Sequence, residues 1–419
     1  MSQAIITRAS SVHGTLTLPA DKAICHRAAL VCAITKGATE IHPWSTAQDC
    51  QRTLDVLRGL GVSVTQTPSG IRIEGVGLHG LREPTGVLDC GDSGTTMRLS
   101  CGLLAGQPFT SVLAAGPSLS RRPMRRIVEP LSSMGARFKG AEGGEVYPPL
   151  EVTGTRPLQA IRYPMPMASA QVKSAILLAG LYAEGPTEVI EPVETRDHTE
   201  RMLNHFGVLV RAGGNVILEG PAMNLSSPGR LRIPADPSSA AFFIVAATLV
   251  PDSRLALRDV GLNPSRVQFL EVLKRMGAAV QQTVEDDGWE PRGTITVESA
   301  RLRGTTVLAG EVPLVIDELP ILMVAACFAG GETRFEGLHE LKVKETDRLH
   351  SMTAGLRAMD AQLVSSEAAD LVIRGGRSLR GALVDILKGT DPAESVLRER
   401  YAGLLELPKE PEAPAAIDR

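Results

Sequence analysis

Two kinds of segment alternate along this 419-residue chain. In the first, a run with helical spacing closes on Gly, or on a near equivalent, and passes straight into a β-type run. Leu54 to Val62 around Gly61 is one case, and Val128 to Phe138 around Gly135, Met202 to Val210 around Gly207, Phe269 to Val280 around Gly277 and Met352 to Val364 around Asp360 are the others. A Gly after the last periodic residue is the stop signal of a helix, so each reads as helix, turn, strand. The second kind is small and aliphatic nearly all round: Ala28 to Gly37, Met97 to Gly106, Ser174 to Gly185, Ser238 to Asp252 and Leu319 to Gly331. With no polar face to offer solvent, these predict buried helices. Short strands such as Ile71 to Ile73, Leu150 to Val152, Val216 to Leu218 and Thr294 to Thr296 lie between them.

The helix-turn-strand unit recurs about every 70 to 80 residues, a spacing too long for an ordinary solenoid and suited to whole βαβ-sized units. Five units are complete. A sixth apolar helix is due at about residue 405, on the same spacing. That region carries Gly389 to Ser395, a charged run around Arg398, Glu399 and Arg400, and an end rich in Pro, Glu and Ala. Such composition allows one exposed charged helix and a disordered end, and cannot supply a buried apolar helix. The periodicity breaks after Val384-Asp385.

The length fits about two to three domains. A net charge of −3 argues against nucleic acid as the main partner and makes any positive field a local one. Six cysteines, Cys25, Cys32, Cys50, Cys90, Cys101 and Cys327, show no metal-binding spacing and read as inert buried thiols of a reducing compartment. Met1 to Pro19 lacks the charged and apolar regions of a signal peptide, and no apolar run is long enough to span a bilayer. The expectation is a soluble, untargeted cytoplasmic protein with no membrane partner.

Charge clusters supply the candidate chemistry. Lys22 to Arg27 and Arg121-Arg122 lie near the start; Ile316-Asp317-Glu318 and Lys342 to Arg348 lie near the far end. Several fixed cations suit phosphate and carboxylate groups, and a carboxylate suits proton transfer, so the pattern fits an enzyme closing on a multiply anionic substrate. Lys22 and Arg27 open an apolar helix, where the helix N-terminus adds to their field. Gly94, in the Gly91 to Thr96 turn, lets backbone approach a ligand closely. Arg122 precedes Pro123, which favours extended backbone and a projecting side chain. Ser169 and Gln171 stand at the start of a helix beginning about Val172, and Asp317 stands just before another; taken alone, each is more often a helix cap than a ligand. Lys344 and Arg348 would share a face if their segment is helical, and like charges there call for an anion between them.

Eight segments carry a more specific signal: Asp21 to Ala28, Gly91 to Arg98, Ser118 to Met124, Ala168 to Ser174, Arg196 to Glu200, Asp236 to Ala240, Ile316 to Glu318 and Val343 to Arg348. In this order and on this spacing, the chain resembles the 5-enolpyruvylshikimate-3-phosphate synthase family, in its bacterial subclass that often tolerates glyphosate. The likeness covers about residues 5 to 385. It implies an α/β (α+β) two-lobed enolpyruvyl transferase fold, each lobe built of βαβαββ units around buried helices, here with the sixth unit incomplete. Residues 20–234 would form one lobe, residues 1–19 plus 235–385 the other, and 386–419 an atypical tail. The implied reaction moves the enolpyruvyl group of phosphoenolpyruvate to the 5-hydroxyl of shikimate 3-phosphate, releasing phosphate, in a monomer that uses neither metal nor organic cofactor.

The resemblance also implies roles. Lys22 bridges both substrates; Arg27, Ser169, Gln171 and Arg196 hold shikimate 3-phosphate; Gly94, Arg122 and Arg348 hold phosphoenolpyruvate. Asp317 takes the shikimate hydroxyls and a proton, Lys344 serves shikimate 3-phosphate and proton transfer, and Glu345 is a general acid or base. Three departures stand against the family pattern. Ala23 replaces the usual Ser, Asp92 replaces Asn and brings negative charge toward an anion pocket, and the Asp-His-Arg-Ile-Ala-Met segment expected after Asp385 is absent. A shifted reading frame, a truncated gene and genuine divergence would each produce that ending. Besides an active synthase, a silent homologue that binds only shikimate 3-phosphate fits the sequence. The sister UDP-N-acetylglucosamine enolpyruvyl transferase fits less well, since no Cys lies in Ala114 to Pro123.

Overall fold

The computed structural model describes residues 9–141, 146–343, 347–365, 369–376 and 379–380. Lys344, Glu345 and the whole stretch 386–419 lie outside them. Each expected helix-turn-strand segment is present, and its stop is geometric. The helices Gln48–Gly59, Arg125–Ser133, His198–His205, Gln268–Arg275 and Arg348–Ala358 are each followed by a residue with positive φ, at Gly61, Gly135, Gly207, Gly277 and Asp360 respectively. The left-handed residue ends the helix and aims the chain back along it, and Asp is among the few residues with a side chain that tolerate the conformation.

These helices lie on five mixed sheets among the described residues. One unit shows the plan. Leu88–Asp89 runs parallel to Thr110–Ala114, which is antiparallel to Tyr147–Thr153, itself paired with Arg137–Ala141. Helix Gly94–Ala105 links the first two strands and Arg125–Ser133 the next two, giving βαβαββ in chain order. The unit at the chain start borrows its first strand from far away: Arg230–Arg232 pairs in parallel with Lys36–His42. Conversely His13–Thr17 pairs in parallel with Arg254–Gly261.

The chain therefore passes twice between two cores. One core runs from Ala20 to Ile233, and the other joins Leu18 to residues from Ala235 to Ile373. The two crossings lie side by side: the Asp21 N–H donates to the Pro234 carbonyl at 2.8 Å and the Asp236 N–H to the Pro19 carbonyl at 3.0 Å.

At the centre of the first core stand helices Lys22–Ala33, Gly94–Ala105 and Ala170–Gly180, all buried nearly all round. Gly102 allows two of them to touch, because a Cβ there would sit 2.4 Å from the Ala175 carbonyl oxygen. The second core differs. Pro237–Leu249 and Leu319–Phe328 pack together, yet Phe242, Phe243 and Phe328 remain 54%, 39% and 42% exposed. The expectation of full burial fails at these three side chains.

Candidate active site

A cleft of about 860 Å³ opens between the two cores. The first turns of Lys22–Ala33, Gly94–Ala105, Ala170–Gly180, Pro237–Leu249, Leu319–Phe328 and Arg348–Ala358 all contribute to its wall. Helix N-termini carry partial positive charge and uncommitted N–H groups, so their convergence favours anions. Among the described residues the lining includes eight cations, Lys22, Arg27, Arg98, Arg122, Arg126, Arg196, Arg266 and Arg348, against three carboxylates, Asp236, Asp317 and Glu340. A chain of net charge −3 thus concentrates positive charge in one place.

Asp317 lies in the middle of this field. Its Oδ2 accepts from Arg196 Nη2 at 2.6 Å and its Oδ1 from Arg348 Nη1 at 3.1 Å, so residues from both cores meet on one carboxylate. It is not a helix cap. The helix that follows starts at Leu319 with Glu318 in the cap position, making no side-chain cap bond, which leaves Asp317 facing the cleft. Helix Arg348–Ala358 is capped by Asp347 and begins only at Arg348. The expected sharing of a helical face by Lys344 and Arg348 falls on Lys344, which lies outside the described residues.

The other expected residues gather on the opposite wall. Arg27 is held by three donations, from Nε to Thr199 Oγ1 at 2.8 Å, from Nη1 to the Ala23 carbonyl at 2.9 Å and from Nη2 to Ser174 Oγ at 2.9 Å. Burial pushes its guanidinium down to about 10, with the charge of Glu200 opposing, so it stays cationic at neutral pH. Lys22 is half exposed and pairs with Asp49 at 2.9 Å, a surface pair of little net strength that a ligand can displace. Ser169 is the cap of its helix, accepting from the Val172 N–H at 3.4 Å, while its own O–H stays available to donate. That helix begins at Ala170, two residues before the expected start. Gln171 is oriented at both ends, its Oε1 accepting from Arg98 Nη1 at 2.8 Å and its Nε2 donating to Thr95 Oγ1 at 3.0 Å.

Gly94 does not line the cleft itself. A Cβ there would sit 2.8 Å from Arg98 Nη1 and 2.9 Å from Arg122 Nη1, so its missing side chain makes room for two guanidinium groups. Arg122 has the extended backbone expected before Pro123, at φ −92° and ψ 126°. Asp92 departs from expectation. Its Oδ1 accepts from the N–H groups of Ser118 and Leu119 at 2.9 and 3.0 Å, so its charge is spent on the loop leading to Arg122 and is not among the cleft-lining groups. Ala23 does line the cleft.

Two arginines had no role assigned from the sequence. Arg98 is 1% exposed and positions Gln171. Arg266, 2% exposed, ties the crossing point together: its Nη2 donates to Asp21 at 3.3 Å, Asp236 at 3.1 Å and Ser238 Oγ at 3.0 Å. Burial works against ionisation of Asp21, but Arg266 and His198 outweigh it and hold its carboxyl below the ordinary range. Asp236 moves the other way, raised by burial and by the neighbouring Asp21. Behind them His198 Nδ1 meets Glu290 Oε1 at 3.1 Å, and Asn263 donates to both Asp197 and Glu290 at 2.7 Å. No group of three or more metal-ligating side chains occurs among the described residues.

Two lobes of βαβαββ units, joined at a double crossing and enclosing a carboxylate within a field of cations, define an α/β transferase that handles multiply anionic substrates. The family model of EPSP synthase (3-phosphoshikimate 1-carboxyvinyltransferase) matches residues 6–388, and the chain belongs to that family. The 3-phosphoshikimate 1-carboxyvinyltransferase of Shouchella clausii is 45% identical over 378 residues, covering 90% of this chain and 87% of the relative. That of Alkalilimnicola ehrlichii is 48% identical over 356 residues, covering 83% and 78%. A solved structure of EPSP synthase from Acinetobacter baumannii matches with a TM-score of 0.78 at 42% identity, covering 88% of this chain and 83% of that one.

Proposed function

We propose that this chain transfers the enolpyruvyl group of phosphoenolpyruvate to the 5-hydroxyl of shikimate 3-phosphate, as a step toward chorismate and the aromatic amino acids. In the net reaction the 5-oxygen bonds to C2 of phosphoenolpyruvate, the bond from C2 to the phosphate oxygen breaks, and phosphate leaves. The hydroxyl proton must go to a base. Asp317 fills that role, and the observation that carries the reading is its position between Arg196 and Arg348 at the meeting of the two lobes.

The remaining roles follow position. Arg27, Ser169, Gln171 and Arg196 form the shikimate 3-phosphate side, with Lys22 between the two ligands and Arg122, beside Gly94, and Arg348 on the phosphoenolpyruvate side. Lys344 and Glu345, outside the described residues, take proton-transfer roles by family position. Lobe boundaries of 20–234 and 1–19 plus 235–385 are supported by the two cores and the paired crossings. Among the described residues no helix is long and apolar enough to cross a membrane, and we place the protein in the cytoplasm as a monomer.

One feature of the sequence favours a second reading. The Asp-His-Arg-Ile-Ala-Met segment is absent after Asp385, and its Arg would hold the phosphoenolpyruvate carboxylate. A chain without that contact binds shikimate 3-phosphate better than phosphoenolpyruvate, and at the extreme binds it without turnover. Calorimetry with each substrate alone separates these ligand sites. We expect clear shikimate 3-phosphate binding and weaker phosphoenolpyruvate binding; tight phosphoenolpyruvate binding with no shikimate 3-phosphate binding overturns the assignment.

A further inference from the structure

Of the segment Arg196 to Glu200, only Arg196 lines the cleft. The other four side chains fasten the segment in place, two toward each lobe. Thr199 Oγ1 accepts from Arg27 Nε at 2.8 Å and Glu200 takes the buried Lys173 ammonium at 2.6 Å, both on the first-lobe side. Lys173 also reaches Glu191 at 2.8 Å and the Thr195 carbonyl at 3.4 Å, so the irregular run leading to Arg196 is tied down from beneath. Asp197 and His198 turn to the second lobe. Asp197 Oδ1 accepts from Asn263 Nδ2 at 2.7 Å and from Ser265 Oγ at 3.2 Å, and His198 Nδ1 meets Glu290 Oε1 at 3.1 Å. Beside Glu290, Trp289 stacks on His205 with ring centroids 5.5 Å apart.

Asn263 is the centre of the contacts to the second lobe. It is buried, and its amide is fully used: Nδ2 donates to Asp197 Oδ1 and to Glu290 Oε1, both at 2.7 Å, while Oδ1 accepts from the Ser265 N–H at 2.8 Å and from Ser265 Oγ at 2.7 Å. Ionised carboxylates only accept and a backbone N–H only donates, so the amide has one orientation, and an Asp in its place would set three carboxylates together. Asp197 stands in the cap position of helix His198–His205 and yet makes no side-chain cap bond. Its oxygens go to Asn263, Ser265 and Arg201 instead. The turn that carries Asn263 also carries Arg266, whose N–H donates to the Asn263 carbonyl at 2.8 Å and whose guanidinium holds Asp21 and Asp236 at the crossing. One four-residue turn of the second lobe thus grips both the crossing strands and the residue next to Arg196.

We propose that Asn263 is a positioning residue for Arg196. By clamping Asp197, it fixes the backbone from which Arg196 reaches across the cleft to Asp317 at 2.6 Å. Asn263 is not among the cleft-lining groups, so it acts on a ligand only through Asp197 and Arg196. Ordering a long side chain costs binding free energy, and a backbone already anchored at Glu191, Thr195, Asp197 and His198 leaves only the Arg196 side chain to order. The consequence for binding rests on the reading above, in which Arg196 serves shikimate 3-phosphate. On that reading the second lobe sets the aim of a first-lobe arginine, both toward the substrate and toward the base that acts on it.

A double-mutant cycle separates positioning from general support of the fold. Calorimetry with shikimate 3-phosphate is run on the intact wild type, Asn263→Ala, Arg196→Ala and the double variant. Asn263→Ala is expected to weaken binding ~10-fold, the scale of one charge-assisted hydrogen bond, and to add no further loss once Arg196 is already Ala. Asn263→Asp, which keeps the shape and loses both donors, behaves like Asn263→Ala. A crystal structure of ligand-free Asn263→Ala shows Arg196 turned away from Asp317. If Asn263→Ala fails to fold, Ser265→Ala, which removes one bond to Asp197, takes its place in the cycle and in the crystal. A wild type that binds no shikimate 3-phosphate refutes the functional reading, and the ligand-free structure then decides the positioning alone. Losses that multiply in the double variant, wild-type binding in Asn263→Ala or Asn263→Asp, or Arg196 still hydrogen-bonded to Asp317 in the variant crystal overturns the proposal.

Discussion

Replacing Asp317 by Asn keeps the shape of the residue and removes its charge and its basicity. The carboxylate lies 2.6 Å from Arg196 Nη2 and 3.1 Å from Arg348 Nη1, and its side chain is about one-third exposed. An Asn presents one oxygen and one NH₂, so one of the two guanidinium groups loses its acceptor and turns toward solvent or substrate. Stability should change little, since ion pairs at this exposure contribute ~1 kcal/mol or less. Binding of the anionic substrates should not weaken, because one negative charge has left a field already rich in cations. Catalysis should suffer. A positioned base contributes ~10²–10⁴ in rate, or ~2.7–5.5 kcal/mol of barrier. Asp317→Asn is therefore expected to lower kcat by a factor on the order of 100 or more with KM unchanged or reduced. Steady-state phosphate release at varied concentrations of each substrate, beside thermal melting, reads both quantities. An unchanged kcat, or a loss confined to KM, would refute the role given to Asp317.

Gly94→Ala should leave the fold intact, since Ala suits a helix start and the crowded atoms are the ends of two flexible side chains, yet it should displace the Arg98 and Arg122 guanidinium groups. Phosphoenolpyruvate affinity is expected to drop ~10-fold, the scale of one charge-assisted hydrogen bond, and calorimetry showing equal affinity would contradict the placement of Arg122. Asp197 has its carboxyl lowered from 3.8: burial opposes this, but the Asn263 hydrogen bond and the charges of Arg201 and His198 prevail. Its contribution is present above the unfolded value and is lost as pH falls through the folded one. Urea unfolding of wild type and Asp197→Asn should therefore show a stability gap at neutral pH that closes below about pH 3.8; a gap independent of pH would mean the side chain acts by shape alone.

Much of this architecture was legible because backbone geometry writes itself into composition. Gly61, Gly135, Gly207 and Gly277, with Asp360 in the fifth place, mark helix ends that need a left-handed residue, so their spacing exposed the repeat. All-round apolar helices were equally plain, although the exposed phenylalanines of Pro237–Leu249 depend on what packs beside them, which no single segment records. Charges were harder. Asp317 stood out only through its motif, and the structure alone showed that it does not cap a helix. Arg98 and Arg266 act on residues 73 and 245 positions away, so the sequence around them did not disclose their partners. Asp92 failed for the same reason in reverse, since its partners lie in a loop 26 and 27 residues on. Contacts built by folding leave little local trace, whereas helix stops and buried faces leave a strong one.

The central claim is that one cleft takes both anions and exchanges phosphate for the shikimate oxygen. Inorganic phosphate released by the purified chain, followed with shikimate 3-phosphate alone, phosphoenolpyruvate alone and both together, tests it most directly. The account predicts release only with both present, in equal amount to an enolpyruvyl ether product. No release above the single-substrate controls, in a protein that calorimetry shows to bind shikimate 3-phosphate, would contradict it and leave a binding protein in the fold of a transferase.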